Sequence, residues 1–352
     1  MWYVTFSCVG SSYNICAYDD SGNLLTSNVL NTASAPKDLL QKAELRGMGF
    51  APDGDFYAVN SKENISQILQ FSGKENTDHS RQYKGIFTSN NSVNAIVHPF
   101  AYTVDSASGN LFVSSQDTNV VTQVFGPFGK ESPGTAAPIA SFLENIQNAK
   151  FLDGTFVASA YTNLPAYSGK GMQGITPVAQ PQGLDASPND GSKVQNSVRG
   201  ILYTGGNLYV ADEPGNALKI YDGTSGDYKS SLTLAGPIHL LGLGTKVYVS
   251  CAGDKKASPP VSPSVQCFDL VSLQLSTVVS DSSLTSVSGI AFGADGNFYV
   301  ADRTAQTIRR YAPTTTPFTP LGIFIDSQSE NNKDGLPDQP EFLLYVGYGV
   351  AG

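Results

Sequence analysis

The sequence predicts an all-β protein built from repeated groups of strands. One pattern occurs three times, as GMGFAPDGDFYAVN (47–60), GILYTGGNLYVAD (200–212) and GIAFGADGNFYVAD (289–302). Each copy contains a short apolar strand, a Gly-centred turn and an aromatic strand, and a third strand (ISQILQF, ALKIYD or TIRRY) follows it. A repeat of about 40–50 residues that contains only strands is typical of a β-propeller, in which four-stranded sheets, called blades, surround a central channel.

The remaining strands complete a ring of such blades. The N-terminal segment contains three predicted strands, WYVTFSC, YNICAYD and LLTSNVL, and EFLLYVGYG (341–349) is a spare strand at the other end of the chain. We expect the two termini to share one blade, because this closure removes open sheet edges. Another blade opens with NAKF and TFVASA. Complete blades are predicted at 46–88, about 100–143, 198–234, 237–279 and 287–325.

This count predicts a single domain over residues 1–352 with seven blades of four antiparallel strands. Six blades are the alternative, if the NAKF and TFVASA strands belong to a lid. The segment 161–197 is rich in Pro, Gly and Ser and has no clear period. Because a loop of this length inside a compact domain is usually functional or disordered, we interpret it as a lid over the channel mouth, with a surface loop as the alternative.

Composition narrows the class of partner. The net charge is −9 at pH 7, and only 14% of the residues are charged. An acidic surface without basic patches argues against nucleic acid and anionic membranes, and no apolar stretch is long enough to span a bilayer. The start MWYVTFSCVG is typical of a strand rather than a signal peptide.

Two features bear on the compartment. The triplets at Asn64 and Asn90 match the glycosylation sequon, which slightly favours the secretory pathway, with the cytoplasm as the alternative. The cysteines form two local pairs, and cross-strand disulfides would suit an oxidising compartment. Buried free thiols are the main interpretation, and the disulfides are the alternative. The pairs are Cys8 with Cys16, and Cys251 with Cys267.

The first strand of each blade should begin beside the channel, so its first residues are the candidate site. Alignment of the repeats gives two arginines, and their fixed positive charges would oppose a divalent metal ion there. The predicted lining is therefore cationic and poor in carboxylates, and suits an anionic or electron-rich organic ligand. The alternative is that the arginines pair with acids at the rim. The aligned residues are Arg46, Phe100 or its neighbour His98, Gln147 with Asn148, Arg199, His239, Ser288 and, nearest in the first blade, Glu341.

Roles follow from side-chain chemistry. A histidine whose pKa is near neutrality can act as a general acid or base, and arginine can stabilise negative charge. The candidate catalytic residues are Arg46, Arg199, His98 and His239. The candidate substrate-binding residues are Phe100, Tyr102, Gln147, Asn148, Ser288, Tyr161 and Tyr167.

Two further patterns involve acidic residues. Asp212 and Asp302 end the repeated aromatic strands and are expected to bond backbone groups of the next turn, with Glu213 and Arg303 directly after them. Separately, ENNKDGLPDQPE (330–341) has the spacing of a calcium loop, but it contains two prolines and no helices flank it. A solvated linker is the main interpretation, and a structural calcium ion is the alternative; no other cofactor is predicted. Its ligands would be Glu330, Asn332, Asp334, Asp338 and Glu341.

The repeat GIAFGADGNFYVAD followed by TIRRY resembles the NHL and SMP-30/gluconolactonase-like propeller superfamily. This resemblance implies the fold. Lactonases of the SMP-30 type hold a divalent metal with axial Glu, Asn and Asp, and virginiamycin-B-lyase-like propellers use an axial His and a metal. The chain lacks the Glu-Gly-Pro opening motif of the lactonases and has arginines at the axis.

In size, blade style, low charge and metal-poor pocket, the chain also resembles the fungal propellers that catalyse intermolecular hetero-Diels–Alder reactions on tropolone precursors and humulene-type partners. This resemblance implies a metal-independent enzyme of small-molecule biosynthesis. Its substrates would be small, hydrophobic organic molecules with an electron-rich or anionic oxygen. The alternatives are a metal-dependent lactonase or lyase, and a non-catalytic propeller that binds a ligand or a protein.

Overall fold

The structure is a computed structural model of the chain. It describes residues 1–7, 14–31, 33–36, 39–40, 43–62, 65–90, 96, 98–105, 109–116, 120–124, 126, 198–223, 228–328 and 333–346. In these ranges, no helix has the length and apolar character needed to cross a membrane.

The described strands form six antiparallel sheets, which we call blades 1 to 6. Blade 1 combines both ends of the chain, as predicted, because its innermost strand comes from the C-terminal region. From the axis outwards it contains β23 (Pro340–Tyr345), β1 (Trp2–Phe6), β2 (Cys16–Tyr18) and β3 (Leu24–Thr26).

Blades 2 and 3 follow in chain order. Blade 2 contains β4 (Leu45–Phe50), β5 (Phe56–Asn60), β6 (Gln67–Glu75) and β7 (Arg81–Ser89). Blade 3 contains the described strands β8 (Pro99–Val104), β9 (Leu111–Ser115) and β10 (Val120–Val124).

Blades 4 to 6 each have four strands, again in order from the axis outwards. Blade 4 contains β11 (Val198–Thr204), β12 (Asn207–Asp212), β13 (Ala217–Asp222) and β14 (Tyr228–Thr233). Blade 5 contains β15 (Pro237–Leu243), β16 (Lys246–Cys251), β17 (Ser264–Asp269) and β18 (Leu275–Val279). Blade 6 contains β19 (Val287–Phe292), β20 (Phe298–Asp302), β21 (Thr307–Ala312) and β22 (Thr319–Ile325).

The ring closes with six blades, so the all-β propeller is confirmed and the count of seven is wrong. Blade 3 packs directly on blade 4: the Tyr203 N–H donates to Thr103 Oγ1 at 3.0 Å, and the rings of Phe112 and Tyr203 stack with centroids 5.5 Å apart. No further inner strand fits between them, and the six-blade alternative is correct. The NAKF and TFVASA strands and the predicted lid at 161–197 lie outside the described residues.

Every innermost strand carries a β-bulge at the same place. In β4, for example, Leu45 pairs with Asn60 but Met48 pairs with Ala58, so one extra residue is inserted between these pairs. A bulge redirects side chains and increases the local twist. The first bulge residues form an inner ring around the axis, which consists of Glu341, Arg46, Phe100, Arg199, Ile238 and Ser288.

The second bulge residue is glycine in blades 2, 4 and 6. A Cβ atom on Gly200 would lie 2.6 Å from the carbonyl oxygen of Ile238, and one on Gly289 would lie 2.7 Å from the backbone nitrogen of Leu343. Real Cβ atoms do not approach backbone so closely, so glycine lets the inner strands of adjacent blades touch. In blades 1, 3 and 5 the second bulge residue is larger, and these residues are Phe342, Ala101 and His239.

The cysteines are not bonded to each other. In blade 5, Cys251 pairs with Ser264 and Cys267 pairs with Tyr248, so the two cysteines lie three residue pairs apart along neighbouring strands. Both are buried free thiols, and so is Cys16. The interpretation as buried free thiols is therefore confirmed for these three cysteines, and the alternative of a Cys251–Cys267 disulfide is wrong. Cys8 lies outside the described residues. Burial raises the pKa of the Cys16 and Cys251 thiols to about 12.

Candidate active site at one end of the axis

The inner ring lies at the end of the propeller where the innermost strands begin and the second strands end. The residue that follows each second strand reaches the same end, and these six residues form an outer ring. We call the two rings together the mouth. The outer ring consists of Ser7, Ser61, Gln116, Glu213, Ala252 and Arg303.

Arg46 of blade 2 is held by three hydrogen bonds. Its Nε donates to Ser61 Oγ at 2.8 Å, and its Nη1 donates to Glu341 Oε1 at 3.0 Å. Its Nη2 donates to Glu44, and the guanidinium lies over the ring of Phe100, 5.4 Å from the centroid. Arg46 is 9% exposed and Glu341 is 1% exposed, so this ion pair is buried.

Arg199 of blade 4 reaches the same phenylalanine from the other side of blade 3. Its Nε donates to Glu213 Oε2 at 2.6 Å and its Nη1 donates to Gln116 Oε1. Its guanidinium lies 5.3 Å from the Phe100 ring centroid. Its side chain is 22% exposed, so it is the more accessible of the two arginines that contact Phe100. Cation–π contact and charged hydrogen bonds both restrict its orientation.

The third arginine of the mouth is Arg303. Its Nη1 lies 3.7 Å from Glu341 Oε1, and its Nη2 donates to Ser7 Oγ at 2.6 Å. The three arginines of the mouth thus face three described glutamates: Glu213 and Glu341, which belong to the mouth, and Glu44, which directly precedes β4. The predicted lining is cationic, whereas the observed one is charge-balanced. The alternative of arginines paired with acids describes it better, although one of those acids, Glu341, lies on the axis rather than at the rim.

His98 lies beside this group. Its Nε2 is 3.9 Å from Glu44 Oε1, and its backbone N–H donates to Ser66 Oγ at 2.9 Å. His98 and the Arg46 guanidinium lower the pKa of Glu44 to about 2, against the opposing effect of burial. Glu44 is therefore ionised at neutral pH, and His98 Nε2 lies 3.9 Å from this anionic carboxylate.

His239 lies on the axis with two phenylalanines. It is the second bulge residue of blade 5, one position beyond the predicted alignment, because the bulge puts Ile238 in the inner ring. Its ring meets the ring of Phe342 edge-on at 5.1 Å, and Phe342 lies 5.0 Å from Phe100. Rings from alternate blades can touch only at the centre, so these three side chains occupy the axis.

The tautomer of His239 follows from one hydrogen bond. The Ile290 N–H donates to His239 Nδ1 at 3.3 Å, which leaves the proton of the neutral imidazole on Nε2. Burial lowers the pKa of His239 to about 4, so the ring is neutral at neutral pH. In this state it can donate a hydrogen bond from Nε2, but it is not a cation.

Acid should destabilise the fold through His239. Because its pKa falls from an ordinary 6.5 to about 4 on folding, the unfolded chain takes up a proton first as the pH drops. The free energy of unfolding should fall between about pH 6.5 and about pH 4, by up to about 1.4 kcal/mol for each pH unit. Urea unfolding at about pH 7 and about pH 5 measures the change in the free energy of unfolding. In His239→Gln, the part of this change that comes from His239 should be absent. Equal pH dependence in both proteins would contradict the assignment.

The other predicted site residues fall into three groups. Ser288 is fully buried and its hydroxyl donates to the carbonyl of Pro340 at 2.9 Å, which joins blades 6 and 1. Tyr102 lies between blades 2 and 3, where its ring contacts Tyr57 and burial raises the pKa of its hydroxyl. Outside the described residues lie Gln147, Asn148, Tyr161 and Tyr167.

The calcium interpretation is not supported by the carboxylates that the structure describes. Glu341 binds arginines at the axis, Asp334 lines a cleft of about 360 Å³ between blades 1 and 6, and Asp338 accepts the N–H of Gln339 at 2.6 Å. In the described part of the chain, no three His, Cys, Asp or Glu side chains converge to hold a metal ion. The remaining two predicted ligands, Glu330 and Asn332, lie outside it.

Five of the six inner-ring residues were among those predicted from the sequence, but most of their partners were not. Ser61, Gln116 and Glu44 were not predicted, although Ser61 directly follows a repeated aromatic strand and that position was a usable signal. The two repeat aspartates do bond the next turn, as expected. In the turn that follows each strand, Asp302 accepts the N–H of Ala305 at 3.3 Å and Asp212 accepts that of Gly215 at 3.0 Å. Asp302 also accepts the N–H groups of Thr285 and Ser286, in the loop before β19, at 2.7 and 3.0 Å.

Comparison with known proteins identifies the fold and no family. No protein-family model matches the chain, and no curated protein matches it. A chain of a nidogen/laminin complex is similar in structure, with a TM-score of 0.54, 11% identity and 97% coverage of both chains. A 6-phosphogluconolactonase-like protein from Bacteroides uniformis also has a TM-score of 0.54, with 11% identity and 98% coverage of both.

A third structure is less similar to this chain. Virginiamycin B lyase from Staphylococcus aureus has a TM-score of 0.46 and 13% identity, over 88% of this chain and 76% of the lyase. At these identities the comparisons establish the β-propeller fold, and the function has to be argued from the mouth itself.

Proposed function

We propose that this propeller is a metal-independent enzyme of small-molecule biosynthesis that acts at the mouth, and that its reaction is an intermolecular hetero-Diels–Alder cycloaddition. The observation that carries the proposal is the pair of guanidinium groups held over one buried phenylalanine ring by acidic partners. A metal ion at the axis would meet these positive charges, and Glu341 is already paired with Arg46 and Arg303.

The charge balance suggests a neutral substrate. Because three arginines face three glutamates, the mouth offers directed hydrogen-bond donors but no net attraction for an anion. One sector is apolar, since blade 5 contributes Ile238 to the inner ring and Ala252 to the outer ring, and both pack in the core cluster around Phe100. A hydrophobic molecule with one carbonyl or phenolic oxygen fits this mixed surface.

The cycloaddition depends more on the relative orientation of its two reactants than on catalytic functional groups of the protein. In a hetero-Diels–Alder reaction, a conjugated C=C–C=O unit adds across an alkene, one C–C and one C–O bond form, and no proton or electron is exchanged. Holding both reactants in one geometry can remove several kcal/mol from the barrier. Arg199, whose guanidinium has further N–H donors beyond the two in use, can polarise the carbonyl as charge develops.

The heterodiene can arise in the same mouth by loss of water. An ortho-hydroxymethyl phenol gives a quinone methide when the phenolic proton and the benzylic hydroxyl leave together as water. We assign this proton transfer to His98, because imidazole can act as a general acid or base and Nε2 lies 3.9 Å from the ionised carboxylate of Glu44, which can orient the ring.

The test is product formation and its stereochemistry. Purified protein is incubated with a hydroxymethyl tropolone or phenol and an electron-rich alkene such as humulene, and the adducts are separated by chiral chromatography. We expect one enantiomer above the racemic background, and no loss of rate with EDTA. Racemic product at the background rate, or loss of activity with EDTA, would contradict the proposal.

Arg199→Met should lower the rate of adduct formation about 100-fold, because it removes a donor to the developing charge. Its partner Glu213 is 30% exposed and can remain hydrated, so the fold should persist. Lys229→Met is the matched control, since Lys229 forms a similar ion pair with Asp222 on the outer strands of blade 4. Equal rates of adduct formation for the two variants would show that Arg199 does not take part in the reaction.

A second candidate is hydrolysis of a lactone or a related ring opening. The observation that favours it is the His98–Glu44 pair, which could activate a water molecule beside the Arg46 guanidinium. A panel of lactones assayed with and without EDTA distinguishes this candidate, and His98→Gln should then abolish turnover. If neither assay shows turnover, the remaining alternative is a propeller that binds a ligand without changing it.

A further inference from the structure

Three buried polar atoms of the mouth have no hydrogen-bond partner among the described residues: Gln116 Nε2, Glu341 Oε2 and Arg303 Nε. Glu341 Oε2 is an acceptor and Arg303 Nε is a donor. These two atoms belong to the same ion pair, in which Arg303 Nη1 lies 3.7 Å from the other carboxylate oxygen of Glu341. Because an unpaired buried polar atom is costly, such atoms are rare and call for an explanation.

The described neighbouring groups direct their hydrogen bonds elsewhere. Arg46 donates to Ser61, to Glu44 and to Oε1 of Glu341. On the other side, the Ser288 hydroxyl donates to the carbonyl of Pro340, and Arg303 Nη2 donates to Ser7. Glu341 Oε2 and Arg303 Nε therefore have no partner in the described part of the chain, and a bound molecule can supply one.

A hydroxyl group has the chemistry that satisfies both atoms. It can donate its proton to Glu341 Oε2 and accept the Nε proton of Arg303 with a lone pair. An ether or carbonyl oxygen has no proton for the carboxylate, and an ammonium group has no lone pair for the guanidinium. We infer that Glu341 and Arg303 form a hydroxyl-specific subsite in the mouth, an assignment that rests on the proposed binding of an organic substrate there.

Access to this subsite depends on Arg303. The Glu341 side chain is 1% exposed, whereas the Arg303 side chain is 28% exposed and is the outermost member of the group. A rotation of this long side chain can admit the hydroxyl and then close over it. The subsite would thus set specificity by requiring a hydroxyl on the substrate, separately from the carbonyl that Arg199 polarises.

The experiment compares three uncharged probes that differ in one group: 2-naphthol, 2-methoxynaphthalene and naphthalene. Dissociation constants are measured by fluorescence titration at neutral pH. One hydrogen bond to a charged group should make 2-naphthol bind at least about 10-fold more tightly than either of the others. Equal affinities for the three probes, or no binding of any of them, would overturn the inference.

The decisive variant is Glu341→Gln. The arginines should hold its amide oxygen in the place of Oε1, so the amide N–H₂ replaces Oε2 and meets the donor Arg303 Nε. The preference for 2-naphthol should then fall below about 3-fold. The matched control is Glu75→Gln. Glu75 is paired with Arg81 in blade 2, away from the mouth, so this variant should keep the preference for 2-naphthol. An unchanged preference in Glu341→Gln would overturn the inference.

If Glu341→Gln does not fold, Arg303→Lys provides the same test. Lysine keeps the positive charge but has no Nε–H at that position, so the preference should again decrease, and a preference equal to that of the parent protein overturns the inference. These binding measurements are independent of turnover. A preference for the hydroxyl probe without any cycloaddition would refute the proposed reaction and support the subsite. Cycloaddition without this preference would support the reaction and refute the subsite.

Discussion

Gly289→Ala should destabilise the protein by about 3 kcal/mol, because the ring cannot close around an added methyl group. The new Cβ would lie 2.7 Å from Leu343 N and 2.9 Å from the carbonyl oxygen of Glu341. These are backbone atoms of the strand that joins the two termini, so no side-chain rotation can relieve the contact, and overpacking of this kind costs about 1–3 kcal/mol or more. Urea unfolding measures the loss.

Gly296→Ala is the control in the same blade. Gly296 lies in the turn before β20 with φ +75°, and a Cβ there would meet nothing within 4 Å. This change should cost only about 1 kcal/mol, from the left-handed backbone alone. If Gly289→Ala were no more destabilising than Gly296→Ala, the close approach of blades 6 and 1 would not be required for closure.

Arg46→Met should also destabilise the protein, by about 3 kcal/mol, whereas Arg199→Met should cost about 1 kcal/mol or less. The difference lies in the acids that each arginine leaves behind. Glu341 is 1% exposed and would lose its 3.0 Å partner without access to water, while Glu213 is 30% exposed and can be hydrated. Both variants should lose cycloaddition activity, so stability and function are separated by comparing them.

A double variant checks the cause. Arg46→Met leaves the buried Glu341 carboxylate with only its longer, 3.7 Å contact to Arg303. Adding Glu341→Gln removes this poorly compensated charge, so the double variant should be more stable than the sum of the two single losses predicts. Additive losses would show that Arg46 stabilises the protein through its packing on Phe100 and not through the ion pair. Thermal unfolding of the four proteins at neutral pH is sufficient for this comparison.

The predictions that held were those that depend on neighbouring residues in the chain. The repeated motif placed Arg46, Arg199 and Ser288 at the start of inner strands, and Phe100 in the less regular blade 3 was also placed correctly. The prediction for blade 5 was one residue late, at His239 instead of Ile238, because the sequence around the bulge has no glycine there to mark it. The spacing of Cys251 and Cys267 left a disulfide open as an alternative for a related reason, since it did not reveal the strand register that separates the two residues.

The sequence by itself determined the blade pattern, the shared first blade and the residues that begin the inner strands, because alternation, turns and glycines act over a few neighbouring positions. Only the tertiary structure decided the number of blades and the charge of the mouth. Arg46 and Glu341 are separated by 295 positions in the chain, and their contact exists only because six blades close into a ring. Which acid meets which arginine depends on that closure, and no local pattern encodes it.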